Sequence, residues 1–385
     1  MAETDYQRGQ MAVNTLTILQ ILPSLEAGGV ERGTVEIAQA VVAAGGRALV
    51  ASAGGRMVPQ VERAGGSHVT LPLMTKDPVS IWLNAWPLTR LIRREGVTLV
   101  HARSRAPAWS AWLAARRAGV PFVTTWHGVY SENFPGKRFY NSVMARGERV
   151  IAISEFVRQR LLALGVAEAR IRLIPRGVDP AIFDPAVVTG ERVHKLAQVW
   201  RLPPGAPVVM LPGRLTRWKG GSLLLRAVAS LKRQDVFLVL VGGGSDRLAA
   251  QLTVEAERLG LASRLRLAGQ CDDMPAALML ADVVACPSLK PEPFGRTVIE
   301  AQAMGRPVVA ADHGGAVETI WDGHTGWRVK PGDAGALAQV IDFALGMAVV
   351  DRAALGEAAR EAVLTQYTTA AMQAATLAVY RELLP

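Results

Sequence analysis

Short apolar runs that alternate with helix-forming runs, twice over, constrain this chain more than any other feature. LTILQILP leads into the glycine-rich turn EAGGVERG and a helical run, VEIAQAVVAAG, which closes at Gly45 and Gly46. RALVASAG, HVTLPL, TLVHARS, FVTTWHG and RVIAISE repeat the strand pattern, with helical stretches between them. A second series follows, with PVVMLPG, VFLVLVGGG, LRLAGQ, VVACPS and PVVAAD as strands and SLLLRAVASLK, RLAAQLTVEAERLG and TVIEAQAMG as helices. Strands apolar along their whole length need cover on both faces, so the pattern predicts an α/β protein of two parallel sheets wrapped by helices. Such sheets take ligands at their carboxyl-end loops.

The length of 385 residues suits two cores rather than one. The first ten to thirteen residues read as a frayed tail, and the stretch from Asp179 to Pro207, with five prolines, reads as the linker beside a cleft. The expected domains are therefore 14–189, completed by an apolar-periodic helix over 366–385, and 190–365.

Half the residues are apolar and a fifth charged, a globular composition. No apolar run approaches the roughly 20 residues of a membrane helix, and MAETDYQRGQ has acids where a signal peptide has bases, so a cytoplasmic protein is expected. Cys271 and Cys286 read as small core residues. The net charge of +10 is concentrated early, since residues 90–176 hold 16 Lys and Arg against 5 Asp and Glu. That segment reads either as a dispersed solvated surface or as a face for anionic lipid head groups or phosphorylated glycans. Within SIWLNAWPLTRLIRREG, Trp82, Trp86, Arg90 and Arg94 fall on one helical stripe that Pro87 should limit. The stripe fits ordinary packing or peripheral contact with an anionic membrane at its inner, cytoplasmic face. A nucleic-acid partner is not expected, for lack of any zinc-finger, RNA-binding or basic-heptad signature.

Two clusters carry chemistry. In EPFGRTVIEAQAMGRP, Glu292 and Glu300 stand seven residues apart around a Pro-Phe-Gly turn, with a helix expected from Thr297. A helix start offers unpaired N–H groups and a positive dipole end, suited to a phosphate or a sugar hydroxyl. In GRLTRWKGG, Arg214 and Lys219 follow a strand, flanked by Gly213, Gly220 and Gly221, which allow close backbone approach to an anionic ligand. Arg217 and Trp218 are expected to face elsewhere.

These blocks, with LPSLEAGGVERG, TTWHGVY, VIAISEFVRQRL, IPRGVD and DGHTGWRV, span nearly the whole chain in the order seen in glycosyltransferase family 4. The chain resembles that family, retaining enzymes of GT-B fold, and within it the bacterial surface-polysaccharide or lipopolysaccharide type. The resemblance implies two Rossmann-like domains facing a cleft, with a terminal helix crossing back to the first domain. It implies transfer of a hexose from a UDP- or GDP-linked donor to a glycan or lipid-linked acceptor, with the nucleotide sugar as co-substrate and no cofactor or metal.

By the same resemblance Arg214 and Lys219 grip the diphosphate, Glu292 holds the donor sugar and Glu300 the ribose hydroxyls. Backbone groups of Phe294, Gly295 and Arg296 meet the sugar or phosphate, and Thr297 caps the helix or touches the phosphate. Gln270 to Met274 flank the base. His127 serves the donor sugar near the anomeric carbon, and Gly28 and Gly29 lie near the donor phosphate, unless they make an ordinary tight turn. Arg32, Ser104 and Arg105 are acceptor candidates. A nucleotide-sugar epimerase or hydrolase of the same fold and a non-catalytic binding module are the alternatives. A nicotinamide oxidoreductase is disfavoured because EAGGVERG and VGGGSD both miss the G-x-G-x-x-G spacing.

Overall fold

A computed structural model describes residues 16–26, 28–130 and 135–384. The tail expected at the start lies outside them. The chain forms two compact units, one of residues up to Ile153 with Val157–Ile174 and Gln373 onward, the other of Ser154–Phe156 and Pro175–Met372.

The first unit is built on seven parallel strands: β1 (Thr17–Ile21), β2 (Arg47–Ser52), β3 (Ser67–Thr70), β4 (Leu99–Ala102), β5 (Phe122–Trp126), β6 (Arg149–Ala152) and β7 (Ile171–Leu173). Their order is β3-β2-β1-β4-β5-β6-β7. The sheet grows in one direction from β1 to β3 and then in the other from β4, so the topological switch lies between β1 and β4. Ile18 pairs with both Ala48 and Leu99. All five residues of β1 are buried, as an apolar strand covered on both faces requires.

The second unit has β8 (Val208–Pro212), β9 (Phe237–Val241), β10 (Leu265–Gly269), β11 (Val283–Cys286), β12 (Val308–Ala311) and β13 (Trp327–Val329), in the order β10-β9-β8-β11-β12-β13 and again parallel. Here the switch lies between β8 and β11. Its core sets Val209, Leu211, Leu238 and Leu240 of the sheet against Leu224, Val228, Leu337 and Ile341 of the helices, all almost fully buried. Each such side chain contributes roughly 1.5–3 kcal/mol over its exposed state.

Four expectations need correction. The three-residue edge strands β7 and β13 were not anticipated, because IRL and WRV are too short to show a period. The proline-rich stretch read as a linker is packed into the second unit, where Arg192 pairs with Asp273 and Arg266 holds the Trp200 carbonyl. The change of unit that precedes it falls between Ile174 and Pro175, one of four such points along the chain. Pro87 does not end its helix, which runs from Pro78 to Arg94. The carbonyl that loses its bond to residue 87 belongs to Leu83, which is half exposed and faces water.

The carboxyl-terminal segment from Gln373 joins the first unit. Tyr380, fully buried, meets His101 Nδ1 at 2.6 Å; Gln373 donates to the Glu36 carbonyl; and Glu382 pairs with Arg149 and Arg172. His101 Nε2 meets Thr125 Oγ1 at 2.7 Å, so both ring nitrogens are used inside the core.

Candidate functional site

In the second unit the loops after β8 and β11 flank the topological switch, where open α/β sheets leave a crevice for ligands. The first loop carries Arg214 and Lys219, the second Glu292, and the helix Arg296–Ala303 carries Glu300. Sheet order thus brings together residues that the sequence separates by more than 70 positions.

Lys219 Nζ lies 2.8 Å from both carboxylate oxygens of Glu292. Only 14% and 15% of the two side chains are exposed, so the pair is poorly screened by water. Ser288 Oγ donates to Glu292 Oε1, and His313 Nε2 donates to the Ser288 carbonyl at 2.9 Å. His313 Nδ1 is buried and has no hydrogen-bond partner among the described residues. The ring of Trp218 lies 4.9 Å from Lys219 Nζ, whereas it was expected to face elsewhere. Arg217, also expected to face elsewhere, donates to Gln251 at 3.2 Å, and both line the cavity that Arg214 and Lys219 border. Arg214 is exposed, and with Lys219 it borders a cavity of about 280 Å³ whose walls are Leu211, Leu215, Leu248, Leu252 and Leu289.

Glu300 is almost buried and accepts from Arg296 Nε at 3.1 Å, one helical turn away. That helix begins at Arg296, one residue earlier than expected, and its cap is Gly295 in a left-handed conformation with no side-chain hydrogen bond. Thr297 therefore does not cap the helix; its hydroxyl lies 3.7 Å from Cys286 Sγ. Burial, with the Glu292 charge nearby, pushes the Cys286 thiol up to about 11, so it stays a neutral core group. Phe294 is buried against Tyr367. A Cβ at Gly315 would fall 2.2 Å from the Phe294 carbonyl oxygen, so only glycine lets the loop after β12 hold the Pro-Phe-Gly turn.

Gln270 and Met274 follow β10 at the sheet edge, Met274 opening the helix Met274–Leu280. Asp273 caps that helix through Ala276 N–H and pairs with Arg192 at 2.7 Å. Among the described residues no three His, Cys, Asp or Glu side chains converge on a point where a metal ion can be held.

The remaining predicted residues belong to the first unit. Gly28 has φ 149°, a conformation that favours glycine, and precedes the helix Gly29–Ala43, which also carries the exposed Arg32. Ser104 opens the helix Arg105–Ala118 after β4, on the other side of that unit's switch, without making a side-chain cap. Arg105 donates to Asn141 Oδ1 at 2.9 Å and lies 4.0 Å over the Tyr130 ring. His127 follows β5, and the rings of Trp126 and Tyr130 lie 4.5 Å apart, tilted by 38°. Burial pushes the Tyr130 phenol up to about 12, against the opposing pull of Arg105 and the His127 main chain.

Ser288, Gly315, Tyr130 and Asn141 were not singled out by sequence reasoning. The DHGG run after a strand was a usable signal, and Ser288 stands only four residues before Glu292; Tyr130 and Asn141 meet Arg105 through tertiary packing.

Residues 27–182 match the family model described as Glycosyltransferase Family 4, and residues 193–362 the one described as Glycosyl transferases group 1. The crystal structure of a glycosyltransferase from Rickettsia africae superposes with TM-score 0.88 at 37% identity, covering 96% of this chain and 99% of that one. Anabaena HepE, crystallised with UDP and glucose, superposes with TM-score 0.84 at 25% identity, covering 96% and 100%. D-inositol 3-phosphate glycosyltransferase 1 of Catenulispora acidiphila is 33% identical over 267 residues, 63% of this chain. The chain spans 62% of that relative's length. Two parallel-sheet units with loops of this kind at the second switch define a chain of GT-B architecture. It belongs to glycosyltransferase family 4.

Proposed function

We propose that this chain is a retaining hexosyltransferase that moves a hexose from a nucleotide diphosphate sugar to a glycan or lipid-linked acceptor. Assembly of lipopolysaccharide or another surface polysaccharide is the setting we favour. The observation that carries the reading is the Lys219–Glu292 pair, 2.8 Å apart, at the switch of the second sheet, with Arg214 on the same loop as Lys219 and Glu300 on the helix that follows Glu292. A diphosphate needs fixed positive groups, which Arg214 and Lys219 supply; a ribose diol needs an ionised acceptor, which Glu300 supplies. The complex of HepE with UDP and glucose supports UDP over GDP as the nucleotide.

In the proposed reaction the bond from the anomeric carbon to the β-phosphate oxygen breaks while the acceptor oxygen bonds to the same face. The acceptor proton passes to the leaving phosphate oxygen, so no protein nucleophile is needed. Lys219 and Arg214 stabilise the negative charge that grows on the diphosphate, in place of a metal ion. Glu292 orients the sugar hydroxyls. The name of the Catenulispora relative favours a second acceptor class, a phosphorylated cyclic polyol.

The test is a melting-temperature screen with nucleoside diphosphates, followed by product analysis with both acceptor classes. UDP at about a hundred times its Kd should add about 2.7 kcal/mol of stability. The product should keep the donor's anomeric configuration, and a chelator should leave the rate unchanged. Inverted product, or activity abolished by chelation and restored by a divalent ion, would refute this mechanism.

A further inference from the structure

One face of the first unit lies outside the chemistry described above. The helix Pro78–Arg94 buries Ile81, Ala85, Leu88 and Ile92 against its unit, yet it turns a second apolar set outward. Val79, Trp82, Leu83 and Trp86 are 64%, 50%, 51% and 51% exposed. Their spacing places them on one side of the helix, and the same side continues toward its end as Arg90, Arg93 and Arg94, all exposed. Single exposed apolar residues are ordinary on a surface helix, but four contiguous ones rimmed by arginines mark a contact face.

The neighbouring helices extend the face. Trp82 and Trp86 meet edge to face at 6.4 Å, and Arg117 of the helix Arg105–Ala118 lies 4.9 Å over Trp86. Next to it Arg116 lies 5.1 Å over Trp112, which meets Trp109 at 5.7 Å. Phe139, 66% exposed, stacks on Trp109 at 4.9 Å, and Arg146 lies within 5 Å of both indoles. Ser110 Oγ donates to the Ile81 carbonyl and Arg93 to that of Arg117, which fixes the two long helices side by side. Two clusters of aromatic rings and guanidinium groups result, meeting at the sequence neighbours Arg116 and Arg117, in a segment with a charge of +11 over residues 90–176.

We propose that this face seats the protein on an anionic phospholipid bilayer. Trp82, Trp86 and Phe139 would enter the boundary between head groups and acyl chains, where an amphipathic ring is most favoured, and the arginines would pair with lipid phosphates. Arg116 and Arg146 are held over indole rings and so are already positioned at the aromatic layer. Single-stranded nucleic acid also uses bases stacked on aromatic groups beside cations. The bilayer is the better fit because Val79 and Leu83 gain from burial in hydrocarbon and offer nothing to a base. The proposal goes beyond the transferase reading and stands without it.

The experiment is co-sedimentation of the full chain with phosphatidylcholine vesicles, with and without about 30% phosphatidylglycerol, at about 50 and about 500 mM salt. Binding should require the anionic lipid and weaken about tenfold or more at high salt. Trp82→Ser with Trp86→Ser, and separately Arg90→Glu with Arg116→Glu, should each weaken it about tenfold, with melting temperature and the shift produced by UDP unchanged. Quenching of tryptophan fluorescence by brominated lipid should diminish in Trp82→Phe with Trp86→Phe, a change that preserves the apolar face. Absence of binding to anionic vesicles at low salt, or undiminished binding by both paired variants, overturns the proposal. So does retention of a single-stranded oligonucleotide that anionic vesicles do not displace.

Discussion

Lys219 and Glu292 form a two-point ion pair, with Nζ 2.8 Å from each carboxylate oxygen and both side chains about 85% covered. The cation proposed for the diphosphate is therefore held by the acid proposed for the sugar, and a bound donor would sit between groups that already position one another. Lys219→Ala should lower kcat about 10²–10³-fold, the scale of losing one charge stabiliser in a water-poor site. Steady-state rates at saturating donor test this, and a wild-type kcat would remove Lys219 from the mechanism.

Glu300 is paired with Arg296 at 3.1 Å on the same helix. Charge-assisted hydrogen bonds to a ribose are worth about 1.5–3 kcal/mol, so Glu300→Ala should raise donor KM by about 10–100-fold with a smaller change in kcat. If Glu300 serves only to fix Arg296, titration of UDP into the variant will give the parent's Kd while the melting temperature falls.

Gly29 and Gly315 separate a proposed binding role from a folding role. Among the described residues nothing lies within 4 Å of a Cβ built on Gly29, whereas one on Gly315 strikes the Phe294 carbonyl. Gly29→Ala should leave stability within about 1 kcal/mol of the parent and still impair turnover if donor phosphate approaches there. Gly315→Ala should destabilise the second unit by about 1–3 kcal/mol and weaken UDP binding, because the Pro-Phe-Gly turn must shift. Chemical denaturation and UDP titration on both variants read out the difference.

Tyr380 ties the terminal segment to His101 through a 2.6 Å hydrogen bond in a fully buried setting. Tyr380→Phe leaves an imidazole nitrogen unpaired and should cost about 1–3 kcal/mol of stability. The Kd for UDP, whose proposed site is in the other unit, should not change.

Glu382 accepts from Arg172 and Arg149, and these bonds hold its carboxyl down at about 2, below its ordinary 4.5. A lowered folded-state pKa means that the stabilisation is complete above about 4.5 and is lost as pH falls toward 2. The group is a third exposed, so its share is modest, under about 1 kcal/mol after screening. Glu382→Gln should lower the melting temperature slightly at pH 7 and converge with the parent near pH 2.

The sequence by itself determined the class of fold and the loops that carry chemistry. Apolar strands such as TILQI and VVMLP between helical runs point to a parallel sheet covered on both faces, and the strand ends placed Arg214, Lys219 and Glu292 on loops at carboxyl ends, with Glu300 in the early turns of the helix that follows. Those signals are local, written within one element and its turn. Tertiary structure alone decided which loops meet. The order β9-β8-β11-β12 sets Lys219 on Glu292, and Gly315 beneath Phe294, across separations that no period records. It likewise decided that Pro87 is tolerated, that residues 179–207 pack as part of the second unit, and that Tyr380 closes on His101. The physical reason is common to all of them: a side chain's partner depends on where the chain returns in space, and that follows from the crossovers of the whole sheet.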